Sequence, residues 1–539
     1  MLSVTRPSGK LVRPGSGDLL YLLFLYVFAG TLLLLCTPNS PLFSTQSWVD
    51  PNVYMDVGRA MNEGRVLYRD IFDHKGPLFL MFFAVLAPFS KFSLTGLYLL
   101  QTVCLGTSLV FLFKTGRLYL SRTASLFICA VFPFFLLAGS IYSDGGGSPE
   151  EILLPCFMGS IYFVVKAFLP GKENTPGKVL LHPFWFHGFF LGIALLTKFD
   201  LVVFFAAGSG MLLLGFLLRK DTKSFAGAFF RLLGGILLAS LPCIIYWAAT
   251  GSLRDCFDVY IQFNLTYSSS KISSVWLSST STTLMIVFIK NLPGILCSVL
   301  GLSVLWMRKI ISRYAFFTVF LMFLSLFIVT FGTGSAYWYY CIPFVCFAGL
   351  GEIGIADFFR EVYIQRRIKR SCHMHVQYPV LFRVLKAAGL AVLFSAIIYA
   401  NGFWQLSSFI TTDKSGVENI CDALLASWKE SGSTGQPDML LYHSPENGYY
   451  CELGTAPQYK YFYSPGVSLD TMPDYINAQN SYVVNGLPDY IIYASRLQNG
   501  DFGITGLNSR YVKIATYEKN TKKPYSDSGV SYLILYQKQ

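Results

Sequence analysis

Carboxylates are concentrated in one short part of the sequence. Of the 17 Asp and Glu residues before position 411, five lie in the polar stretch that begins at Asp50 and ends at Asp73. A carboxylate beside an apolar segment can take the proton of an attacking hydroxyl and so act as a general base. An acid at this place could also cap a short surface helix over residues 52–62. The tight grouping favours a reaction site, and we predict that Asp50 is the general base.

A second group of acids lies in the turn at residues 140–151, which contains three glycines and a proline. Its members are Asp144, Glu150 and Glu151. The helix dipole favours carboxylates in the first turn of a helix, so capping explains at least one of the two glutamates. Glu151 is nearest to the following apolar run, where an ionisable group indicates function. We predict that Glu151 and Asp144 help to orient the acceptor.

Basic and aromatic residues accompany the first acidic group. Lys75 is the first candidate for binding a phosphate, because ammonium and guanidinium groups form charge-assisted hydrogen bonds with phosphate oxygens. A lysine at the end of an apolar segment, such as Lys198, can also extend its amino group to the membrane surface. The tyrosine-rich run at 337–340 is typical of the aromatic belt. The predicted substrate-binding residues are Lys75, His74, Asp73, Arg59, Tyr54, Arg69 and Lys198.

These residue types fit the transfer of a sugar from a lipid phosphate to a hydroxyl. One carboxylate accepts the hydroxyl proton. The leaving phosphate is stable as an anion and needs no general acid, but cations must hold it. We expect an oxocarbenium-like transition state with inversion at the anomeric carbon, as in inverting glycosidases. The pattern indicates no cofactor and no set of metal ligands, and it leaves a divalent metal ion open.

The elements that must position these residues are membrane helices. The chain has 539 residues, of which 53% are apolar and only 13% charged, whereas soluble proteins carry about 25% charged residues. This composition excludes soluble, disordered and collagen-like proteins. Residues 1–410 hold 32 Lys and Arg against 17 Asp and Glu, and residues 411–539 hold 10 against 13. The net charge of +12 is therefore a topology signal, because basic residues mark cytoplasmic loops.

Apolar segments long enough to cross about 30 Å of hydrocarbon recur along residues 1–410. We predict about eleven transmembrane helices and a cytoplasmic N-terminus, which places the C-terminal residues outside. Pro77–Phe89 is too short to span and is predicted to be an interfacial or re-entrant helix. Residues 251–280 are predicted to be a second long external loop. The predicted spans are 19–36, 94–114, 124–139, 152–168, 185–197, 201–218, 229–250, 282–307, 315–331, 337–355 and 384–404.

The C-terminal part has a different composition. We predict a transmembrane catalytic domain at 1–410 and a small extracytoplasmic α/β domain at 411–539. Cys421 and Cys451 could form a disulfide there, and the sequence does not decide whether they do. Helical spacing occurs at 417–430 and 469–479, and strand patterns bounded by turn residues occur at 438–443, 459–463, 489–493, 511–517 and 530–536.

Three motifs in the first 155 residues resemble the GT-C glycosyltransferases of the protein O-mannosyltransferase and aminoarabinose-transferase type, including related bacterial family 39 proteins. They are Asp50-Pro51-x-x-Tyr54, Gly64-x-x-Leu67-Tyr68-Arg69-Asp70 and Asp73-His74-Lys75-Gly76-Pro77-Leu78. The resemblance implies an all-α polytopic membrane fold with surface helices in the first external loop, and a polyprenyl-phosphate-linked sugar as donor. It also implies that Lys75 binds the lipid phosphate. The family's second acid falls on Asp144, Glu150 or Glu151.

The sequence thus predicts a multi-pass glycosyltransferase of a bacterial plasma membrane. The predicted reaction moves a sugar from polyprenyl phosphate to a hydroxyl of a cell-envelope glycan, lipid or protein on the extracytoplasmic face. The expected partners are this donor, the acceptor and the bilayer, with no nucleic acid. The alternative is a transporter or flippase of lipid-linked saccharides, which would show paired halves; the sequence contains no internal repeat. The sugar and the acceptor are not identified.

Overall fold

The structure is a computed structural model. It describes residues 16–43, 48–137, 146–169, 181–270, 281, 284–285, 289, 291–332, 337–370, 389, 392, 395–396, 416–465, 472–495, 510–518 and 532–539. The candidate Asp144 lies outside the described residues, as do most of the predicted span at 384–404 and the predicted domain boundary at 410/411.

Long apolar helices make up most of the chain. Within the described ranges, six helices are long and apolar enough to cross a membrane: Leu19–Cys36, Thr95–Gly116, Phe199–Leu218, Thr222–Thr250, Arg313–Gly332 and Tyr339–Tyr363. Shorter apolar helices are Pro77–Phe89, Arg122–Leu137, Pro183–Thr197 and Leu292–Met307. The protein is therefore a multi-pass membrane protein, as predicted, and the number of eleven spans stays a prediction.

The helices up to residue 270 begin with α1 and end with α12. Several of them start at a proline, which is tolerated in the first turn because its missing N–H has no partner there. Their bounds are α1 Ser16–Cys36, α2 Val49–Asn62, α3 Pro77–Leu86, α4 Thr95–Gly116, α5 Arg122–Leu137, α6 Pro149–Ile152, α7 Leu154–Ala167, α8 Pro183–Thr197, α9 Val202–Leu218, α10 Thr222–Thr250, α11 Leu253–Cys256 and α12 Asn264–Ser270. 3₁₀ turns at Ala87–Phe89 and Phe199–Leu201 follow α3 and α8, and a π-helical stretch at Phe257–Phe263 joins α11 to α12.

Three further helices complete the membrane part: α13 Leu292–Met307, α14 Arg313–Gly332 and α15 Val345–Arg370, with a 3₁₀ helix at Trp338–Phe344 before α15. Glycines allow some of these helices to touch backbone to backbone. A Cβ added to Gly301 would lie 2.0 Å from the carbonyl oxygen of Gly351, at the crossing of α13 and α15. Close approach through small residues is the usual way in which membrane helices associate.

The first connecting segment lies between α1 and α4 and is largely buried. It contains α2, the run Asp73–Pro77 and α3. A Cβ on Gly58 would meet the backbone of Phe83 at 2.5 Å, so α2 and α3 are in direct backbone contact. The predicted interfacial helix Pro77–Phe89 is present with these bounds, as α3 and its 3₁₀ turn.

The C-terminal part is built on a four-stranded sheet. Its strands are β1 Met439–Tyr442, β2 Tyr490–Ser495, β3 Tyr511–Glu518 and β4 Tyr532–Lys538, in the order β1-β2-β4-β3. β1 and β2 are parallel and the other pairs antiparallel. Helices α16 Gly416–Glu430, α17 Tyr449–Leu453 and α18 Pro473–Val484 accompany it. This small α/β unit confirms the predicted class of the C-terminal part.

The C-terminal part packs directly on the first connecting segment. Arg65 donates a hydrogen bond to Gln458 (2.6 Å), and the Phe72 N–H donates to the Lys460 carbonyl (3.0 Å). One buried apolar cluster contains residues of both parts, among them Tyr54 and Tyr449. The division into two domains stays a prediction.

Three details differ from the sequence prediction, and a fourth concerns a point that the sequence left open. Residues 253–270 are helical (α11, the π-helical stretch and α12) rather than a loop, and this segment packs on the motif around His74. Residues 459–463 form no strand, although they bond to β1. The helix predicted at 469–479 is Pro473–Val484. Cys421 and Cys451 are buried free thiols.

Candidate active site

Asp50 lies in the first turn of α2, with a carboxylate that is not used as a cap. The helix begins three residues earlier than predicted, at Val49, and its N-cap residue Trp48 makes no side-chain capping bond. The Tyr339 hydroxyl donates a long hydrogen bond to Asp50 Oδ2 (3.4 Å). The Trp48 and Tyr339 rings lie 5.7 Å apart. Asp50 is therefore half-buried, lightly bonded and able to accept a proton from a ligand.

The run Asp73–Gly76 forms a second part of the site. The Lys75 N–H donates to Asp73 Oδ1 (2.7 Å), and Tyr68 donates to the Lys75 carbonyl (2.7 Å). Burial raises the pKa of Asp73 to about 6; Lys75 lowers it and Asp50 raises it. These contacts fix the backbone of the motif and place Asp50 and Asp73 in each other's electrostatic field.

The Lys75 ammonium group has no carboxylate partner at ion-pair distance within the described ranges. Its Nζ lies 3.0 Å from His74 Nε2 and 5.6 Å from the centre of the Tyr54 ring. A half-buried cation with no carboxylate at ion-pair distance among the described residues is suited to bind an anion, because the site has already lost part of its solvation.

Tyr54 connects the two parts of the site. It is fully buried, one helical turn after Asp50, and its ring packs edge-on against Phe79 at 4.8 Å. Burial raises the pKa of its hydroxyl well above the ordinary value, and Asp50 and Asp73 raise it further. The hydroxyl has no hydrogen-bond partner in the part of the chain that the structure describes. It thus stays protonated and free to donate.

Lys198 and Glu150 form a buried ion pair that completes the site. Lys198 Nζ lies 2.5 Å from Glu150 Oε1, 3.8 Å from Asp200 Oδ2 and 3.5 Å from the centre of the Tyr340 ring. The pair is held next to the lysine motif because the Gly76 N–H donates to the Thr197 carbonyl (3.1 Å). A Cβ on Gly76 would lie 2.2 Å from the Leu196 carbonyl oxygen, so only glycine allows this approach.

We call the five charged residues Asp50, Asp73, Lys75, Glu150 and Lys198 the acid–lysine cluster. They come from α2, the motif before α3, α6 and the end of α8. Electrostatic coupling through Tyr54 joins them, since Asp50, Asp73 and Glu150 all act on its hydroxyl. The cluster unites four of the predicted site residues and Glu150 around Tyr54 and Tyr339.

Three other predicted residues have different partners. Glu151 accepts hydrogen bonds from the Gly147 N–H (2.6 Å) and from Gln101 Nε2 (3.1 Å), so it holds the glycine turn before α6. Arg59 is buried against Asp56 (2.6 Å) and also donates to the Ser90 carbonyl (2.5 Å). Arg69 donates to the carbonyls of Thr250 and Gly251 at the end of α10 and pairs with Asp255 at 2.9 Å. Their side chains are committed to the protein in this structure.

Two contributions were missed from the sequence. Glu150 was left as one of three alternatives for the second acid, with capping as an explanation for at least one of the two glutamates, whereas its carboxylate pairs with Lys198. Tyr339 was attributed to the aromatic belt, whereas it donates to Asp50. The sequence did carry a signal for the ion pair. Lys198 lies at the end of an apolar segment, where a lone charge is unfavourable and an acidic partner is expected. No three His, Cys, Asp or Glu side chains of the described residues come together as metal ligands.

Comparisons with known proteins agree with this layout. Residues 74–247, about a third of the chain, match the dolichyl-phosphate-mannose-protein mannosyltransferase family. The matched segment begins at His74 and contains Lys75, Glu150 and Lys198, but not Asp50. A sequence search of curated proteins gave no significant match.

The fold is similar to that of ArnT from Cupriavidus metallidurans. The crystal structure of ArnT bound to undecaprenyl phosphate matches with a TM-score of 0.60 at 11% identity, over 97% of this chain and 98% of that chain. The apo structure of ArnT gives a TM-score of 0.57 at 12% identity, with the same coverage. The likeness extends over the membrane part and the C-terminal part together.

Proposed function

We propose that this chain, which matches the mannosyltransferase family over residues 74–247 and is similar in fold to ArnT, is a GT-C glycosyltransferase. In this proposal it transfers a sugar from a polyprenyl-phosphate donor to a hydroxyl acceptor on the extracytoplasmic face. A lipid-phosphate donor is supported by the ArnT structure, which was obtained with undecaprenyl phosphate. The acceptor class remains a cell-envelope glycan, lipid or protein.

One observation carries the proposal. A lightly bonded carboxylate, Asp50, lies in the same buried cluster as a lysine, Lys75, that has no carboxylate at ion-pair distance among the described residues. Sugar transfer from a lipid phosphate needs a base for the acceptor proton and a cation for the leaving phosphate. A binding protein or flippase would need the cation but has no use for the base.

In the proposed reaction, Asp50 takes the proton of the acceptor hydroxyl as its oxygen attacks the anomeric carbon. The bond from that carbon to the phosphate oxygen breaks, and the electron pair leaves with the polyprenyl monophosphate. Lys75 holds this phosphate, with His74 beside it. Attack from the face opposite the leaving group inverts the anomeric configuration.

Glu150 and Lys198 are proposed to position the substrates rather than to exchange protons. Each of the two side chains is the ion-pair partner of the other, so neither is proposed as a general base or acid. Glu151 is proposed to support the site by holding the turn at Gly147. Asp144, outside the described residues, keeps its predicted role at the acceptor.

The proposed topology follows from the charges. The N-terminus and the basic loops lie in the cytoplasm, and the acid–lysine cluster and residues 411–539 lie outside, in a bacterial plasma membrane. At the end away from the cluster, Arg308 pairs with Asp357 (3.2 Å) and Arg360 donates to the Tyr119 carbonyl (2.9 Å). Such basic ends support a cytoplasmic location for that side.

The test is a transfer assay with the purified full chain in lipid nanodiscs. Undecaprenyl phosphate carrying a radiolabelled hexose or pentose is supplied together with cell-envelope extract as acceptor. The proposal predicts release of undecaprenyl phosphate, movement of label to the extract and an inverted anomeric configuration. If all label stays on the lipid with every donor and extract tried, the transport alternative is favoured instead.

A further inference from the structure

A cavity of about 500 Å³ lies at the seam between the first connecting segment and the C-terminal part. Its volume is in the range of small-molecule binding sites, about 300–1,000 Å³. All five residues of the acid–lysine cluster are described, and none of them lines this cavity. We call it the seam pocket; its walls include Arg65 of the first connecting segment and, from the C-terminal part, Gln436, Asp438, Gln458, Tyr459 and Leu487.

The polar walls of the seam pocket are held in place by contacts within the protein. The Tyr459 hydroxyl donates a hydrogen bond to Asp438 Oδ2, and the Tyr459 ring lies 5.0 Å from the Tyr482 ring. Arg65 donates to Gln458 Oε1 at 2.6 Å. Side chains that are already fixed in this way lose little freedom when a ligand binds, which favours binding.

Both donors and acceptors remain in the seam pocket for a ligand. The guanidinium group of Arg65 has five N–H donors, and within the described ranges its side chain makes one hydrogen bond, to Gln458. Asp438 Oδ1 has no hydrogen-bond partner among the described residues, although a buried carboxylate oxygen normally has one. Gln436 is exposed and adds an amide, which both donates and accepts.

The charges and the apolar surface of the seam pocket indicate a neutral, hydroxyl-rich ligand. Arg65 and Asp438 have opposite charges, so an anion would meet the carboxylate and a cation would meet the guanidinium group. A sugar unit has hydroxyls that donate and accept, and a C–H face that can pack on the Tyr459 ring or on Leu487, which is 50% exposed. A few polar groups within apolar walls are what fixes the orientation of a ligand.

The seam pocket is also close to the acid–lysine cluster. Tyr459 precedes Lys460, whose carbonyl accepts a hydrogen bond from the Phe72 N–H (3.0 Å), and Phe72 precedes Asp73. Because consecutive Cα atoms are 3.8 Å apart, the Cα atoms of Tyr459 and Asp73 are at most about 15 Å apart. A chain of a few sugar units can span this distance.

We propose that the seam pocket binds a neutral sugar unit of the acceptor, so that the acceptor is a glycan chain whose reacting hydroxyl lies at Asp50. The inference rests on the proposed function, and it narrows the acceptor from a glycan, lipid or protein to a glycan. The unit in the pocket does not react. It supplies binding energy away from the reacting hydroxyl, which helps to hold that hydroxyl at the base.

Leu487→Trp tests the seam pocket, because the larger side chain fills it from an exposed position. Val484→Trp is the matched control, since Val484 is also an exposed apolar residue of the C-terminal part but does not line the pocket. Gln436→Ala removes one amide from the wall. The transfer assay is run in nanodiscs with undecaprenyl-phosphate-linked labelled sugar and increasing amounts of delipidated, protease-treated glycan from cell-envelope extract. Affinity for undecaprenyl phosphate is measured in parallel, and thermal unfolding verifies that the variants are folded.

For Leu487→Trp we expect the half-saturating amount of glycan to rise about ten-fold or more, and for Gln436→Ala about three- to ten-fold, as for the loss of one hydrogen bond. The rate at saturating glycan and the affinity for undecaprenyl phosphate should match those of Val484→Trp, because the reacting groups are unchanged. An unchanged glycan requirement in Leu487→Trp overturns the inference, and so does wild-type transfer of label to protein or lipid alone. If the wild-type chain transfers label to no acceptor, the proposed function itself fails, which distinguishes the two failures.

Discussion

Replacing Lys198 by methionine removes the cation from the buried part of the acid–lysine cluster. The Lys198 side chain is 17% exposed and that of Glu150 only 1%, so the variant leaves a carboxylate buried without a counter-charge. Breaking a buried pair in this way costs about 3–5 kcal/mol. We expect a loss of about 4 kcal/mol in the free energy of unfolding.

Glu150→Gln should be much milder. Lys198 then keeps Asp200 at 3.8 Å and the Tyr340 ring at 3.5 Å, and the loss of one charge-assisted hydrogen bond costs about 1.5 kcal/mol. The double variant buries no unpaired charge, so we expect a cost of about 2.5 kcal/mol. The coupling energy between the two sites is then about 3 kcal/mol, the upper range for residues in contact.

The assay is detergent unfolding of the purified protein followed by circular dichroism, with all four members of the cycle. Lys91→Met is the control, because this lysine is exposed and its replacement should change stability by less than about 0.5 kcal/mol. If the double variant is as unstable as the sum of the single variants, the ion pair does not exist as described.

Three further predictions concern the motif around Lys75. Lys75→Ala should weaken undecaprenyl phosphate binding about 10- to 100-fold, because a charge-assisted hydrogen bond is lost. The control Arg69→Gln should leave binding unchanged, because Asp255 and two carbonyls already bind that guanidinium. Equal losses of affinity for the two variants in binding titrations would refute the assignment. Burial raises the folded-state pKa of Asp73 to about 6, above an unfolded value of about 3.9. Between these pH values the folded state binds more protons than the unfolded state. The free energy of unfolding therefore falls by about 3 kcal/mol as the pH rises through this range. Unfolding of Asp73→Asn at pH 4 and pH 7 should lack this loss. Gly76→Ala should cost about 1–3 kcal/mol and lower transfer, because its Cβ would meet backbone, while Gly210→Ala, with open space around the Cβ, should be neutral in the same thermal unfolding.

The motifs could be predicted because they are local. Asp50 and the run Asp73–Pro77 lie in one polar stretch of an apolar chain. The short apolar run predicted the helix Pro77–Phe89, which is α3 with its 3₁₀ turn. These signals depend on neighbouring residues and need no knowledge of packing.

The choice between Glu150 and Glu151 could not be made from the sequence. Adjacent residues of a helix point about 100° apart, so one glutamate pairs with Lys198 and the other holds the turn at Gly147. The rotation of α6 against α8 and α4 decides which glutamate pairs with Lys198 and which holds the turn. The same holds for Arg59, whose grouping with the acids indicated a phosphate site but whose partner is Asp56, one helical turn away.

The contacts of the C-terminal part were also beyond the sequence. The alternation at 459–463 predicted a strand, but the segment bonds to β1 on one side and to Phe72 on the other. Its tyrosines are separated from the first connecting segment by nearly 400 residues of chain, and no local pattern reports such a contact.

The central claim is that Asp50 is the base for sugar transfer. Its most direct test is the rate of undecaprenyl phosphate release from undecaprenyl-phosphate-linked labelled sugar by Asp50→Asn. Glu63→Gln, at the residue that follows the last residue of α2, is the matched control. We predict a loss of about 100- to 10,000-fold in transfer, as for removal of a general base, with undecaprenyl phosphate affinity retained and the control unaffected. Normal turnover by Asp50→Asn would contradict the account.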